Sequence, residues 1–255
     1  MQRLLVSILV SSLATIYACK GIPTTTTPTQ PEDSQPEVVE DYTNEIPSFV
    51  TNGFTVIEEK QSDPFGCVGK VLQEDGGLIG SAVLVSPIVV LTAAHCLENT
   101  NAYWFETNDC HRYKINQCII HESYVSNTSL GDIGAFILET PCDKVPAIVI
   151  KELNELQRLE NLTTVGYSFH KKKISDRGTF FYFGTILEEP CYIKFLPLDG
   201  SIWFGDSGGA LFEDGGKLAG IISSIGIKDG IIFENSATHI FLYHDWISNI
   251  IKTHK

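Results

Sequence analysis

Gly205-Asp206-Ser207-Gly208-Gly209 decides how the rest of the chain is read. A serine hydroxyl is inert at neutral pH. To attack a carbonyl it needs a base within hydrogen-bond reach and donors aimed at the oxyanion that forms. Glycines on both sides of Ser207 permit backbone torsions closed to other residues and let a second backbone approach the amides. Upstream, Leu91-Thr92-Ala93-Ala94-His95-Cys96 places a histidine at the close of an apolar, β-branched run from Ala82 to Thr92, which makes His95 the candidate base. In Gly131-Asp132-Ile133-Gly134-Ala135-Phe136-Ile137-Leu138 an acid enters another apolar run, and Asp132 is the candidate orienter of His95. Each motif alone has a plain structural explanation as a loop, a turn cap or a core histidine.

Taken together, in the order His95, Asp132, Ser207 and with these flanks, they make the chain resemble the trypsin-like (chymotrypsin-fold) serine endopeptidases. Other serine hydrolase folds carry the same three residues in other orders. The resemblance runs from about Val50 to Lys255. It implies an all-β fold of two six-stranded antiparallel β-barrels with the active site in the cleft between them, His95 and Asp132 on the first, Ser207 on the second, and a short C-terminal helix. The implied activity is hydrolysis of protein or peptide substrates through an acyl-enzyme, by a monomer that needs no cofactor or metal.

The same resemblance assigns the amides of Gly205 and Ser207 to the oxyanion. Ser223 would bond the Asp132 carboxylate and begin the strand that pairs with substrate backbone, while Ser201 and Ile225 would line the primary pocket. With serine at 201 that pocket lacks the acid that would pair with Arg or Lys. Ile225 stands where the family often has glycine and narrows the slot, and Asn235 behind it is uncharged. Small or medium apolar residues are therefore expected at the cleavage site. Val50-Thr51-Asn52-Gly53 resembles the family's newly cut N-terminus, with Asp206 as its partner. Cleavage after Phe49, a terminus at Phe49 itself, and activity without cleavage all stay open. Two departures are visible: Gly80 stands sixteen residues before Cys96, where the family places the partner of that cysteine, and Trp203 replaces a cysteine four residues before the nucleophile.

Residues 1–18 read as an export signal, with Arg3 ahead of an apolar run from Leu4 to Tyr17 that is too short to span a bilayer. Ile16-Tyr17-Ala18-Cys19 resembles a bacterial lipobox with Cys19 as the lipidation site, although Tyr17 is bulkier than usual. Residues 19–48, rich in Thr, Pro and acid, form a flexible tether or propeptide, and residues 49–255 the protease domain. The chain is thus exported, either lipid-anchored to a membrane of the cell envelope or freely secreted. Of the seven cysteines, Cys19 aside, Cys67, Cys96, Cys110, Cys118, Cys142 and Cys191 remain. Six can pair in 15 ways, and an oxidising compartment favours bridges over buried thiols.

The formal net charge of −13 argues against nucleic acid as a partner. The one basic cluster, Lys171-Lys172-Lys173, lies in a polar stretch and reads as a solvated loop. Short β-rich runs follow one another at Cys67–Gln73, Gly80–Val85, Ile88–Thr92, Lys114–Ile120, Ile133–Leu138, Thr163–Tyr167, Thr179–Leu187, Ala210–Phe212 and Lys217–Ile225, as sandwiches and barrels require. Helical periods occur at Tyr243–Ile251 and, more weakly, at Glu152–Leu159. Besides an active endopeptidase, the sequence admits a catalytically silent binding module on the same fold, or a surface protein whose tail does the work.

Overall fold

A computed structural model of the chain describes residues 55–57, 63–98, 101–126, 128, 130–151, 161–168, 170–186, 189–196, 202–228 and 231–255. The expected export signal, Cys19, the tether, Phe49, Val50, Ser201 and the helix at Glu152–Leu159 lie outside them.

Six strands close the first barrel: β2 (Val68–Leu72), β3 (Leu78–Ser86), β4 (Val89–Thr92), β5 (Trp104–Glu106), β6 (Arg112–Ile120) and β7 (Gly134–Leu138), paired in the order β2-β3-β4-β7-β6-β5. From Gly80 to Ser86 every residue of β3 is buried. Its near-continuous apolar run reflects cover on both faces, since side chains that alternate across a strand would otherwise alternate in polarity. The outward-facing β6, by contrast, is mostly exposed.

The second sheet comprises β1 (Thr55–Ile57), β8 (Asn161–Ser168), β9 (Lys171–Ile186), β10 (Glu189–Leu196), β11 (Ala210–Phe212), β12 (Leu218–Lys228) and β13 (Ile231–His239). Its strands run β1-β9-β10-β13-β12-β11-β8, and a further β8–β9 pairing closes six of them into a ring with β1 added at β9. All named pairings are antiparallel. The chain then passes through a 3₁₀ turn, Ile240–Tyr243, into α1 (His244–Thr253). Ile247 and Ile250 of α1 are buried at the spacing of one helical face. His121, just past β6, meets Tyr243 and Trp246 edge-on at ring separations of 4.8 and 5.1 Å, so the C-terminal segment grips the first barrel after leaving the second.

Four short or polar strands, β1, β5, β10 and β13, lie outside the runs expected from the sequence. β10 carries Pro190 and a register shift beside it, and β13 interrupts its apolar residues with Glu234, Asn235, Ser236 and Thr238, the last three of them buried. The basic cluster also needs correction. Lys171–Lys173 begin β9, and the Lys172 side chain is wholly buried. Its ammonium donates to the Asp63 carboxylate, to Phe65 O at 2.5 Å and to Val68 O at 3.1 Å, with the Tyr167 ring 5.7 Å away. Burial lowers its pKa against the pull of Asp63. A buried ammonium persists only where acceptors meet all its protons, and the segment before β2 supplies them.

The expected bridges are not formed either: no disulfide links any two of the described cysteines, Cys67, Cys96, Cys110, Cys118 and Cys142. At Gly80 an added Cβ would lie 3.0 Å from Cys96 Sγ. The place of the missing partner is therefore occupied by a residue without a side chain, and the Cys96 thiol donates to Ser207 O at 3.8 Å.

Candidate active site

Three loop ends converge where the barrels meet. β4 runs into a 3₁₀ turn at Ala94–Cys96, whose first and last residues are buried, leaving His95 facing the cleft with its side chain 38 % exposed. Asp132 sits just before β7 at the centre of a tight turn in which Ile133 N donates to Gly131 O at 2.6 Å. Gly131 takes φ +63 there, and a Cβ would come within 2.5 Å of Ser123 O.

The Asp132 carboxylate is 2 % exposed and accepts three hydrogen bonds: His95 N donates to Oδ1 at 2.9 Å, while His95 Nδ1 at 2.8 Å and the Ser223 hydroxyl at 2.5 Å share Oδ2. The Thr238 hydroxyl secures its backbone, donating to Asp132 O at 2.8 Å. Burial opposes the charge on this carboxylate, yet the His95 and Ser223 bonds hold its pKa below the usual value. For His95, burial is the largest cause and opposes protonation, but the bonds and charges of Asp132 and Cys96 together outweigh it and raise the imidazole pKa.

The glycine pentapeptide forms two consecutive turns. Asp206 N donates to Trp203 O and Gly209 N to Asp206 O, each at 2.9 Å, and the third residues of these turns, Gly205 and Gly208, have φ +97 and +83. A positive φ at that position is the signature of a type II turn. A Cβ at Gly205 would strike Tyr167 O at 2.4 Å. Among the described residues no acceptor engages the amides of Gly205 or Ser207. The Ser207 hydroxyl donates to Ser223 O at 3.5 Å rather than to His95. Catalytic hydrogen bonds are often loose without substrate.

Ser81, which the sequence reading passed over, holds this loop. Its amide donates to Ser207 O at 2.7 Å, its hydroxyl donates to Gly205 O at 2.7 Å and accepts from Tyr167 N at 2.9 Å, and its carbonyl accepts from the Thr92 hydroxyl at 2.8 Å. β3 carries a second hydroxyl, Ser86, so no local pattern sets Ser81 apart. Ser81→Ala leaves a buried amide and carbonyl unmatched. It should cost about 1–3 kcal/mol in denaturant unfolding and slow reaction of Ser207 with an active-site probe; an unchanged midpoint and rate would remove this role.

Of the other expected residues, Ser223 is buried against Asp132, and Ile225 is half-buried and paired across the sheet with the buried Asn235. Asp206 is 2 % exposed and its Oδ2 accepts from Trp203 N at 2.8 Å; its pairing with Val50 lies outside the described residues. Beside His95 opens a cleft of about 310 Å³ lined by Glu98, Tyr124, Thr128, Asp132, Ser223 and Ser224. No three described His, Cys, Asp or Glu side chains gather as a metal site. A hydroxyl, an imidazole bonded to a buried carboxylate, and two amides with no acceptor among the described residues are the groups that base-assisted attack on a carbonyl requires.

A family model described as Trypsin matches residues 55–247. No curated protein sequence matches the chain. Two solved structures are similar in fold. One is neuropsin, a serine protease expressed in the limbic system of mouse brain, at 21 % identity and TM-score 0.61 over 74 % of this chain and 95 % of that one. The other is a scabies mite inactivated protease paralogue, at 17 % identity and TM-score 0.63 over 77 % of this chain and 100 % of that one.

Proposed function

The chain belongs to the trypsin family, and from that premise we propose that it is a serine endopeptidase with His95, Asp132 and Ser207 as its triad. The observation that carries this reading is the Asp132 carboxylate, which fixes both the backbone and Nδ1 of His95 at 2.9 and 2.8 Å. That hold leaves Nε2 as the proton acceptor. Ser207 Oγ rotates off Ser223 O and attacks the scissile carbonyl while His95 takes its proton. The Gly205 and Ser207 amides receive the oxyanion; losing one such donor costs about 100- to 1000-fold in rate. His95 then protonates the leaving amine, and water hydrolyses the acyl-enzyme by the reverse proton path.

Ser201 and Ile225 set a primary pocket for small or medium apolar residues, without Arg or Lys specificity. A newly cut Val50 ammonium pairs with Asp206 when the propeptide is removed. The chain is exported and either secreted or anchored through a lipid on Cys19, and it acts as a monomer on proteins or peptides.

A fluorophosphonate probe tests the central claim: the full-length chain should take one equivalent, located on Ser207 by peptide mass mapping. A folded chain that stays unlabelled, also after trimming to Val50, sinks the enzyme reading. It would leave the silent binding module, which the Ser207–Ser223 contact favours.

A further inference from the structure

The cleft beside His95 is built around one carboxylate. Glu98 follows the 3₁₀ turn that carries His95, and its amide donates to His95 O at 3.4 Å. Its side chain is aimed by two hydroxyls: Tyr124 at 2.9 Å and Ser126 at 3.0 Å both donate to Oε2. Oε1 accepts nothing from the described residues, and no described Lys or Arg pairs with Glu98.

The rest of the lining is already satisfied. The Thr128 hydroxyl donates to Val125 O at 2.7 Å and accepts from Leu130 N at 3.1 Å. The Ser223 hydroxyl is committed to Asp132, and the Ser224 hydroxyl shares a 2.7 Å bond with that of Ser236. Asp132 itself is saturated by His95 and Ser223. Glu98 Oε1 is therefore the acceptor that the lining leaves for an incoming group. Its neighbours add negative charge from Asp132 and no cation but His95, whose role fixes it elsewhere. The half-buried setting weakens screening relative to open surface.

We propose that this cleft binds a lysine or arginine side chain of the substrate, at the residue immediately before the one whose carbonyl is attacked. A substrate strand laid along Ser223–Ser224, with its carbonyl at Ser207, sets that neighbouring side chain between His95 and Tyr124, where Glu98 Oε1 meets it. The primary pocket selects an apolar residue and the cleft selects a basic one next to it. This assignment rests on the endopeptidase reading above.

The test uses matched quenched-fluorescence peptides carrying Lys, norleucine or Glu at that position, cleaved by the full-length chain and by Glu98→Gln and Glu98→Arg. Gln keeps an oxygen for Tyr124 and Ser126 and removes only the charge. The wild type should prefer Lys over norleucine about tenfold in kcat/KM at low salt, as one charge-assisted bond allows. Glu98→Gln should bring the ratio within about twofold of one, and Glu98→Arg should invert it toward the Glu peptide. A wild-type ratio near one, or a ratio that Glu98→Gln does not change, overturns the assignment. Fluorophosphonate labelling in the same preparations separates the two failures. A labelled enzyme with a flat ratio loses the basic cleft and keeps its activity; a chain that is never labelled loses both.

Discussion

Asp132→Asn should lower kcat about ten-thousandfold while leaving the fold intact, and should move the acid limb of the pH profile downward. The carboxylate accepts three donors through two oxygens, whereas an amide has one acceptor oxygen and an NH₂ that can only donate. If the oxygen keeps the His95 amide and the NH₂ faces Nδ1, the imidazole must hold its proton on Nε2. It then cannot take the proton of Ser207. In the proposed mechanism the base is the neutral imidazole, so in the wild type activity should rise with pH through a His95 pKa that Asp132 helps hold above the ordinary 6.5. In the variant the pull of the Asp132 charge is lost while burial, the largest cause, still pushes that pKa down. A kcat/KM profile of both proteins checks the sign. An acid limb that stays in place, or a loss below tenfold, would show that Asp132 does not set the protonation of His95.

Gly208→Ala should be the most damaging glycine-to-alanine change among the described residues. Gly208 has φ +83, and a Cβ there would lie 2.1 Å from Ser81 O and 2.2 Å from the Thr92 hydroxyl. Neither neighbour can retreat cheaply, because each is bonded to the other at 2.8 Å within the closed first barrel. Left-handed backbone strain of about 1–2 kcal/mol and overpacking of about 1–3 kcal/mol act together, which corresponds to a melting-temperature drop of roughly 5–20 °C for a domain of this size. Gly216 supplies the control: φ is +80, yet nothing lies within 4 Å of its Cβ position, so Gly216→Ala carries the strain without the collision. Thermal unfolding of the two variants separates the terms. If both melt alike, the tight contact between the nucleophile turn and the first barrel is not what the geometry implies.

The parts of this molecule that could be read in advance are those whose chemistry is written in contiguous residues. His95 and Asp132 each close or open an apolar strand, and Gly205 and Gly208 stand where two turns require positive φ, so composition and local geometry coincide. The barrels were legible for the same reason where a strand is apolar, as in β3, β4 and β7. What stayed hidden depends on residues far apart in sequence. Ser81 reaches Gly205 across 124 positions and Thr238 reaches Asp132 across 106; no local pattern announces either. Lys172 was read as solvated because its neighbours are polar, and only the folded chain brings Asp63, Phe65 and Val68 around it. Glu98 carries no local signal, and only the fold brings the Tyr124 and Ser126 hydroxyls to it.

The bond from Ser81 N to Ser207 O spans the two barrels through the nucleophile's own backbone. Any excursion that parts them, however brief, must first release the serine from the strand that holds it. A half-open molecule is consequently a disarmed one. With Ser207 as the nucleophile of the proposed mechanism, loss of this contact and loss of reactivity arrive as one event.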